Sequence, residues 1–229
     1  MALPERAAPP PDVAAPIAPA RDCPLCPRLV AYRDANRAAN PGWFNAPVPS
    51  FGPADAELLI VGMAPGVRGA NRTGRPFTGD FAGVLLYETL IRFGFAAGVY
   101  RAEPDDGLVL RNCRIVNAVR CVPPANLPEP REVTQCNRYL AAELAAMPKL
   151  RMVLALGVLA HAAVLKASGL PPSRMRFRHG DMHTLPGGGR LCDSYHVSRY
   201  NTSTRRLTPE MFELVMARIA DGLARPAHA

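Results

Sequence analysis

The chain has 229 residues, of which 48% are hydrophobic and 20% are charged. This length suits one domain with a sizeable core and leaves too little chain for two full domains. The formal net charge of +8 is compatible with a polyanionic partner, although charge alone does not select nucleic acid.

Residues 1–20 are rich in proline and alanine and lack an uninterrupted apolar stretch. This composition is typical of a disordered leader and not of a secretion signal. The longest apolar run, residues 152–165, is broken by a glycine and a histidine and is shorter than the roughly 18 residues that cross a bilayer. We therefore expect a soluble, cytoplasmic protein with no membrane partner and a single domain over residues 21–225.

The predicted secondary structure alternates between strands and helices. Four short apolar runs have the composition of buried strands: 57–63, 114–119, 152–156 and 191–197. Four segments have helical spacing: 81–93, 131–147, 158–167 and 209–224. This alternation predicts a three-layer α/β/α sandwich with a central four-stranded parallel sheet.

In such a sheet, ligands bind beyond the carboxyl ends of the strands. Three of the segments that follow strands are unusual in composition: GMAPGVRGANRTGRPFTGD (62–80), NAVRCVPP (117–124) and HVSRYNTSTRRL (196–207). The first is rich in glycine and arginine but lacks the GK[ST] and GxGxxG patterns of nucleotide-binding loops. The third strand leads through Gly157 directly into a helix, and we interpret that connection as structural.

The chain contains six cysteines, which in a reducing compartment are better interpreted as ligands or core residues than as disulfides. Four of them are candidate ligands of one metal centre: Cys23, Cys26, Cys121 and Cys136. Their number suits zinc or an iron–sulfur cluster, and the 14 residues between the last two favour the cluster. Ordinary thiols are the third interpretation. Cys113 and Cys192 lie in strand-like runs and are expected in the core.

The three segments, together with the four cysteines, resemble the iron–sulfur uracil-DNA glycosylases, specifically the family 5 (B-type) branch. The resemblance extends from Cys23 to the final helix. It implies the uracil-DNA glycosylase fold, a monomer that acts on DNA, and a [4Fe–4S] cluster on Cys23, Cys26, Cys121 and Cys136. In this family the cluster is expected to be structural, pinning the amino-terminal helix and the loop between the last two cysteines.

The resemblance also assigns base-binding residues. An enzyme that acts on a base must flip it into a pocket that stacks on its face and reads its edge. Gly62 and Phe77 are expected beside the flipped base, Asn117 to read its edge, and His196 to bind a carbonyl and stabilise the departing base. The simpler interpretations are a core aromatic for Phe77, a turn residue for Asn117 and a structural histidine for His196.

Asp80 is the leading candidate for the catalytic carboxylate, which would stabilise a positively charged sugar or orient water. Met63 stands where the family 4 relatives carry an acidic residue. Asp80 also precedes an apolar helical run, so it could instead cap that helix. Asn71 is a second candidate for positioning water.

DNA-backbone contacts are expected from seven residues in the first and third segments: Arg72, Arg75, Arg199, Tyr200, Asn201, Arg205 and Arg206. Either Tyr200 or Leu207 would fill the gap that a flipped base leaves.

The activity implied is hydrolysis of the N-glycosidic bond of uracil, and of other deaminated bases such as hypoxanthine, leaving an abasic site. Gly66 and Arg68 depart from the pattern of many B-type members, so the range of bases stays open. The alternatives are a family 4 type enzyme, a non-catalytic iron–sulfur DNA-binding module, and a zinc-stabilised interaction domain.

Overall fold

A computed structural model describes residues 18–224 of the chain. The predicted leader therefore lies almost wholly outside the described residues, as does Arg225 at the end of the predicted domain. Within residues 18–224, no helix combines the length and apolarity needed to cross a membrane.

The described chain alternates between strands and helices, as predicted. The strands are β1 (Leu58–Gly62), β2 (Ala96–Ala97), β3 (Val109–Leu110), β4 (Cys113–Asn117), β5 (Met152–Leu156), β6 (Met182–Thr184) and β7 (Arg190–Ser194). The α-helices are α1 (Pro27–Ala39), α2 (Ala70–Thr73), α3 (Phe81–Arg92), α4 (Pro130–Ala145), α5 (Val158–Ala167), α6 (Arg199–Ser203) and α7 (Pro209–Ala224).

The central sheet has the strand order β4-β1-β5-β7-β6. The first four strands are parallel and correspond to the four predicted ones. The predicted strand count was wrong by one, because β6 pairs with β7 in the antiparallel direction at the sheet edge. This three-residue strand is only partly buried and has no apolar run that would reveal it in the sequence.

The two faces of the sheet are covered by different helices. In β1, Leu58 and Ile60 face a core that includes residues of α3 and α7, whereas Leu59 and Val61 face a core that includes residues of α4 and α5. All four side chains are fully buried. Burial on both faces explains why the strand is a continuous apolar run in the sequence.

The carboxyl ends of the parallel strands meet at one edge of the sheet. Gly62 at the end of β1 is in register with Asn117 at the end of β4. The chain leaves β7 through Tyr195 and His196, and it leaves β5 through Gly157. The topology therefore gathers the three unusual segments around this edge.

Candidate active site

A small inner cavity of about 40 Å³ lies at the carboxyl edge of the sheet. Four of the predicted site residues line it: Phe77, Asp80, Asn117 and His196. The structure thus brings together side chains that are far apart in the sequence.

Asn117 and His196 present polar groups to this cavity. Within residues 18–224, neither the Asn117 side-chain amide nor the His196 ring nitrogens have a hydrogen-bond partner. These polar groups face the same cavity and are free to bind a ligand with complementary donors and acceptors.

Gly62 permits the close packing behind the cavity. A Cβ at this position would lie 2.5 Å from Oδ1 of Asn117 and 2.6 Å from Cζ of Phe77. Both distances are below van der Waals contact, so a side chain here would displace the amide and the ring. The small size of Gly62 therefore allows the Asn117 amide and the Phe77 ring to lie where they do.

Phe77 has an unusual backbone conformation, with φ of 53° in the left-handed region. Its carbonyl accepts a hydrogen bond from the Tyr100 hydroxyl at 3.0 Å. Gly83 lies directly beneath, because a Cβ there would be 1.9 Å from that carbonyl oxygen. These contacts hold the Phe77 ring in the cavity wall, 5.9 Å from the His196 ring between centroids. Backbone strain of this kind is concentrated at functional sites.

His196 is a neutral imidazole at physiological pH. Its burial lowers its pKa to about 4, because the charged form loses hydration in the enclosed site. The residue can therefore donate or accept a hydrogen bond in the cavity but does not carry a positive charge there.

Asp80 lies at the N-cap position of α3, as the capping interpretation predicts, but its side chain makes no capping hydrogen bond. Its Oδ1 atom is buried without a hydrogen-bond partner among the described residues. Burial raises the pKa of this carboxyl, and the nearby amides of Gly83 and Ala82 offset only part of the rise. The Oδ1 atom of Asp80 is therefore not used in capping α3.

A larger outer cavity of about 710 Å³ adjoins the inner one, and Asp80 and His196 line both. Leu156 and Gly157 also line the outer cavity. The third parallel strand leads through Gly157 directly into α5, as predicted, and its carboxyl end also lines this cavity. The sequence pattern gave no sign of this contribution because the strand runs directly into α5.

Three aromatic residues that were not among the predicted site residues also line the outer cavity: Phe81, Phe177 and Tyr195. Phe177 lies in an irregular segment, and Tyr195 directly follows β7. Tyr195 lies directly between the strand and His196, and this position in the sequence could have indicated that it lies near the site.

The segment 199–207 places its predicted DNA-binding residues in different surroundings. Arg199 and Arg206 are exposed and line the outer cavity. Asn201 also lines it, but its amide donates to the His196 carbonyl at 2.8 Å.

The two candidate wedge residues of this segment differ sharply in exposure. Tyr200 is 70% exposed, whereas Leu207 is fully buried. Leu207 therefore belongs to the core and is excluded as the wedge. Arg205, like Tyr200, is exposed.

Arg75 was predicted to contact DNA, but the structure places it inside the protein. Its guanidinium donates two hydrogen bonds of 2.8 Å to the fully buried carboxylate of Asp106. Arg72 is partly exposed and pairs with Glu103 at 3.1 Å. The pattern NRTGR could not distinguish these two arginines, because their orientation is set by a partner segment about 30 residues away.

Asn71 was predicted to position water, but its side chain is buried and used structurally. Its Nδ2 atom donates to Oδ1 of Asn45 at 2.9 Å. Asn71 lines neither the inner nor the outer cavity. The bond joins α2 to the segment that follows α1, so the residue stabilises the loop rather than the reaction centre.

The four candidate ligand cysteines line a single separate cavity, together with apolar residues of α1 and α4. The backbone amide of Arg120 donates to Sγ of Cys136 at 3.4 Å. The Nε atom of Arg33 is buried beside this cavity without a hydrogen-bond partner among the described residues, and Oδ1 of Asp34 lies 3.9 Å from it. Four sulfur donors, an amide aimed at one sulfur and a buried guanidinium nitrogen without a hydrogen bond suit a negatively charged thiolate-bound centre. Cys113 and Cys192 are fully buried in the core, as predicted.

Ionic contacts fix the elements that carry these cysteines. Arg28 of α1 donates to both carboxylate oxygens of Glu132 of α4, at 2.8 and 2.7 Å. Arg120, beside Cys121, is buried and pairs with Glu143 at 2.8 Å. The cysteine cavity is thus held between α1, α4 and the segment after β4.

Comparison with known proteins identifies the family. The model of the uracil DNA glycosylase superfamily matches residues 49–220. A Type-5 uracil-DNA glycosylase of Thermus thermophilus is 47% identical over 196 residues, covering 83% of this chain and 89% of that protein. One from Pyrobaculum aerophilum is 40% identical over 203 residues, covering 87% and 88%. This chain belongs to the uracil-DNA glycosylase superfamily, a family of DNA-repair hydrolases.

The matches also confirm the expected branch. A Type-4 uracil-DNA glycosylase of Pyrobaculum aerophilum is 32% identical over 157 residues, which covers only 65% of this chain and 70% of that protein. The chain is therefore more similar to the Type-5 relatives described above than to this Type-4 protein, and the family 4 alternative is disfavoured.

Proposed function

We propose that this protein excises uracil from DNA by hydrolysing the N-glycosidic bond of a base flipped into the inner cavity, leaving an abasic site. One observation carries the proposal. The inner cavity is lined by the Phe77 ring, the Asn117 amide and the His196 imidazole, and the Asp80 carboxyl group lines both the inner and the outer cavity.

The inner cavity offers what a pyrimidine requires. The Phe77 ring supplies a face for stacking. The Asn117 amide can donate to a carbonyl and accept from a ring NH, which is the pairing that uracil presents. Gly62 allows both groups to approach the same base.

His196 and Asp80 act on the bond that breaks. As neutral imidazole, His196 donates a hydrogen bond to a base carbonyl, and this bond strengthens as negative charge develops on the departing base. The Asp80 carboxylate stabilises the positive charge of the oxocarbenium-like sugar or orients the incoming water. Because its Oδ1 atom has no partner among the described residues, Asp80 can act without first breaking a bond within the protein.

The outer cavity accommodates the DNA strand. Its exposed arginines, Arg199 and Arg206, face the region through which the nucleotide enters. Arg205, exposed in the same segment, adds positive charge. Tyr200, at 70% exposure, is the side chain that we assign to the gap left by the flipped base.

We infer that Cys23, Cys26, Cys121 and Cys136 hold a [4Fe–4S] cluster. The cluster would supply structural stability by fixing α1 against α4. Quantification of iron and acid-labile sulfide in purified protein tests this inference. About four of each per chain, lost together in Cys121→Ser, is the result expected for a four-thiolate cubane; stoichiometric zinc in a colourless protein contradicts it.

The enzymatic proposal is tested by excision assays on duplexes containing a single uracil, a single hypoxanthine or only normal bases. We expect release of uracil and also of hypoxanthine, and no release of normal bases. DNA binding without release of any base would favour the non-catalytic module. We further propose that the enzyme acts in the cytoplasm and is a monomer. Light scattering during gel filtration tests the oligomeric state.

A further inference from the structure

Two arginines at the outer cavity are held against aromatic rings. The guanidinium carbon of Arg206 lies 4.7 Å from the centroid of the Tyr195 ring, and that of Arg199 lies 5.0 Å from the centroid of the Phe81 ring. All four residues line the outer cavity. Such contacts restrict an otherwise flexible guanidinium.

These two arginines keep their charge available. Neither has a carboxylate within ion-pair distance among residues 18–224. Arg72, by contrast, is paired with Glu103. An aromatic ring orients a guanidinium without neutralising it, so the group can still meet an incoming anion.

Tyr195 is itself firmly held. The His179 ring stacks on it at 4.9 Å between centroids with an interplanar angle of 8°. The Tyr195 backbone amide donates to Nδ1 of His179 at 3.1 Å. With His179 stacked on the ring, Tyr195 cannot turn away freely from Arg206.

The segment carrying His179 is anchored to the buried side chain of Asp193. The carboxylate of Asp193 accepts hydrogen bonds from His161 Nδ1 at 2.7 Å, from His183 Nε2 at 3.2 Å and from the Arg178 amide at 3.3 Å. His161 also donates through Nε2 to the Met175 carbonyl at 2.9 Å. Both His161 nitrogens are hydrogen-bonded, and these bonds anchor the segment that carries His179.

We propose that Tyr195 is a positioning residue that holds Arg206 for a phosphate of the DNA strand in the outer cavity. This inference rests on the proposed function, because it assumes that the outer cavity receives DNA. It assigns to Tyr195, backed by His179, a role in binding the substrate and none in breaking the bond. Orienting the arginine in advance lowers the entropy lost when the phosphate arrives.

The experiment measures uracil excision by Tyr195→Leu, Tyr195→Phe, Arg206→Gln and the double variant Tyr195→Leu/Arg206→Gln, at several salt concentrations. Arg205→Gln is the matched control, since Arg205 has the same charge next in sequence but no ring contact among the described residues. We expect Tyr195→Leu to raise KM about threefold to tenfold while kcat changes less than about twofold. Tyr195→Phe, which keeps the ring, should show a smaller rise.

The coupling between the two residues decides the question. The double variant should have the same KM as Arg206→Gln alone. In both of these variants, the slope of the logarithm of the binding constant against the logarithm of the salt concentration should be smaller by about one than in the wild type. In contrast, the effects of Tyr195→Leu and Arg205→Gln should multiply. If Tyr195→Leu does not fold, His179→Ala replaces it. His179→Ala should likewise raise KM in the wild-type background and leave KM unchanged in the Arg206→Gln background.

The inference would be overturned if Tyr195→Leu raised KM by the same factor in the Arg206→Gln and Arg205→Gln backgrounds. It would also be overturned if Tyr195→Leu lowered only kcat. The proposed function would survive that result, because wild-type excision establishes it independently. Failure of the wild-type protein to release any base would instead overturn the proposed function.

Discussion

Gly69 and Asp80 are in direct contact: a Cβ at position 69 would lie 2.4 Å from Oδ2 of the Asp80 carboxylate. The glycine precedes α2, and the aspartate immediately precedes α3. The Asp80 carboxylate can therefore occupy this position only because Gly69 has no side chain.

This contact predicts that Gly69→Ala displaces Asp80 and lowers kcat. Misplacing a catalytic group by about 1 Å can cost up to roughly 100-fold in rate, so we expect a loss of about 10- to 100-fold. Single-turnover uracil excision measures it. Gly42→Ala is the control, because a Cβ at Gly42 meets nothing within 4 Å. Full activity of Gly69→Ala would show that the position of Asp80 is not critical.

His196 predicts a particular dependence of activity on pH. Since burial lowers its pKa to about 4, the imidazole stays neutral as the pH falls from about 8 to about 5. His196→Gln should therefore reduce kcat without changing the shape of the pH profile in that range. A limb near the ordinary histidine pKa of about 6.5 that is present in the wild type and absent from His196→Gln would contradict this prediction.

Loss of the Tyr100 hydroxyl is expected to lower both the stability and the activity of the protein. Tyr100→Phe removes the bond to the strained Phe77 carbonyl, which should destabilise the protein by about 1 kcal/mol and lower kcat/KM. Thermal unfolding and excision assays measure the two effects. Tyr32→Phe is the control, since the Tyr32 hydroxyl makes no hydrogen bond within residues 18–224. Equal behaviour of the two variants would show that the bond does not hold Phe77.

The buried pair of Arg75 and Asp106 predicts a large loss of stability. Asp106→Asn should destabilise the protein by about 3–5 kcal/mol, because it leaves the Arg75 charge buried without its partner. The hydrogen bonds from Arg75 hold the pKa of Asp106 well below its usual range, so this stabilisation is complete above about pH 4 and declines at lower pH.

The measurement for this pair is thermal unfolding of Asp106→Asn alongside Glu103→Gln. Glu103 pairs with Arg72 at the surface, so its replacement should cost about 1 kcal/mol or less. Similar losses of stability in the two variants would show that burial of the pair of Arg75 and Asp106 does not determine how much this pair stabilises the protein.

The sequence predicted the parallel sheet correctly because strands such as β1 are buried on both faces and form apolar runs. It could not predict β6, whose three residues depend on pairing with β7. Phe77, Asp80, Asn117 and His196, which the family pattern assigned to the site, line one cavity in the structure.

The sequence did not predict which polar side chains in the same motifs turn inward. Asn71 and Arg75 point into the protein because Asn45 and Asp106 bind them, and those partners lie in other segments. Leu207 is buried although the preceding arginine is exposed. Motif adjacency identified the site but did not fix the orientation of each side chain.

We propose that Asp80 acts on a base held in the inner cavity, and single-turnover uracil excision by Asp80→Asn is the decisive test of this role. Binding of uracil-containing DNA and the unfolding temperature are measured on the same samples. We predict a loss of at least about 100-fold in the excision rate, with DNA binding and folding retained. An excision rate equal to that of the wild type in the folded variant would contradict the assignment of Asp80 and the account built on it.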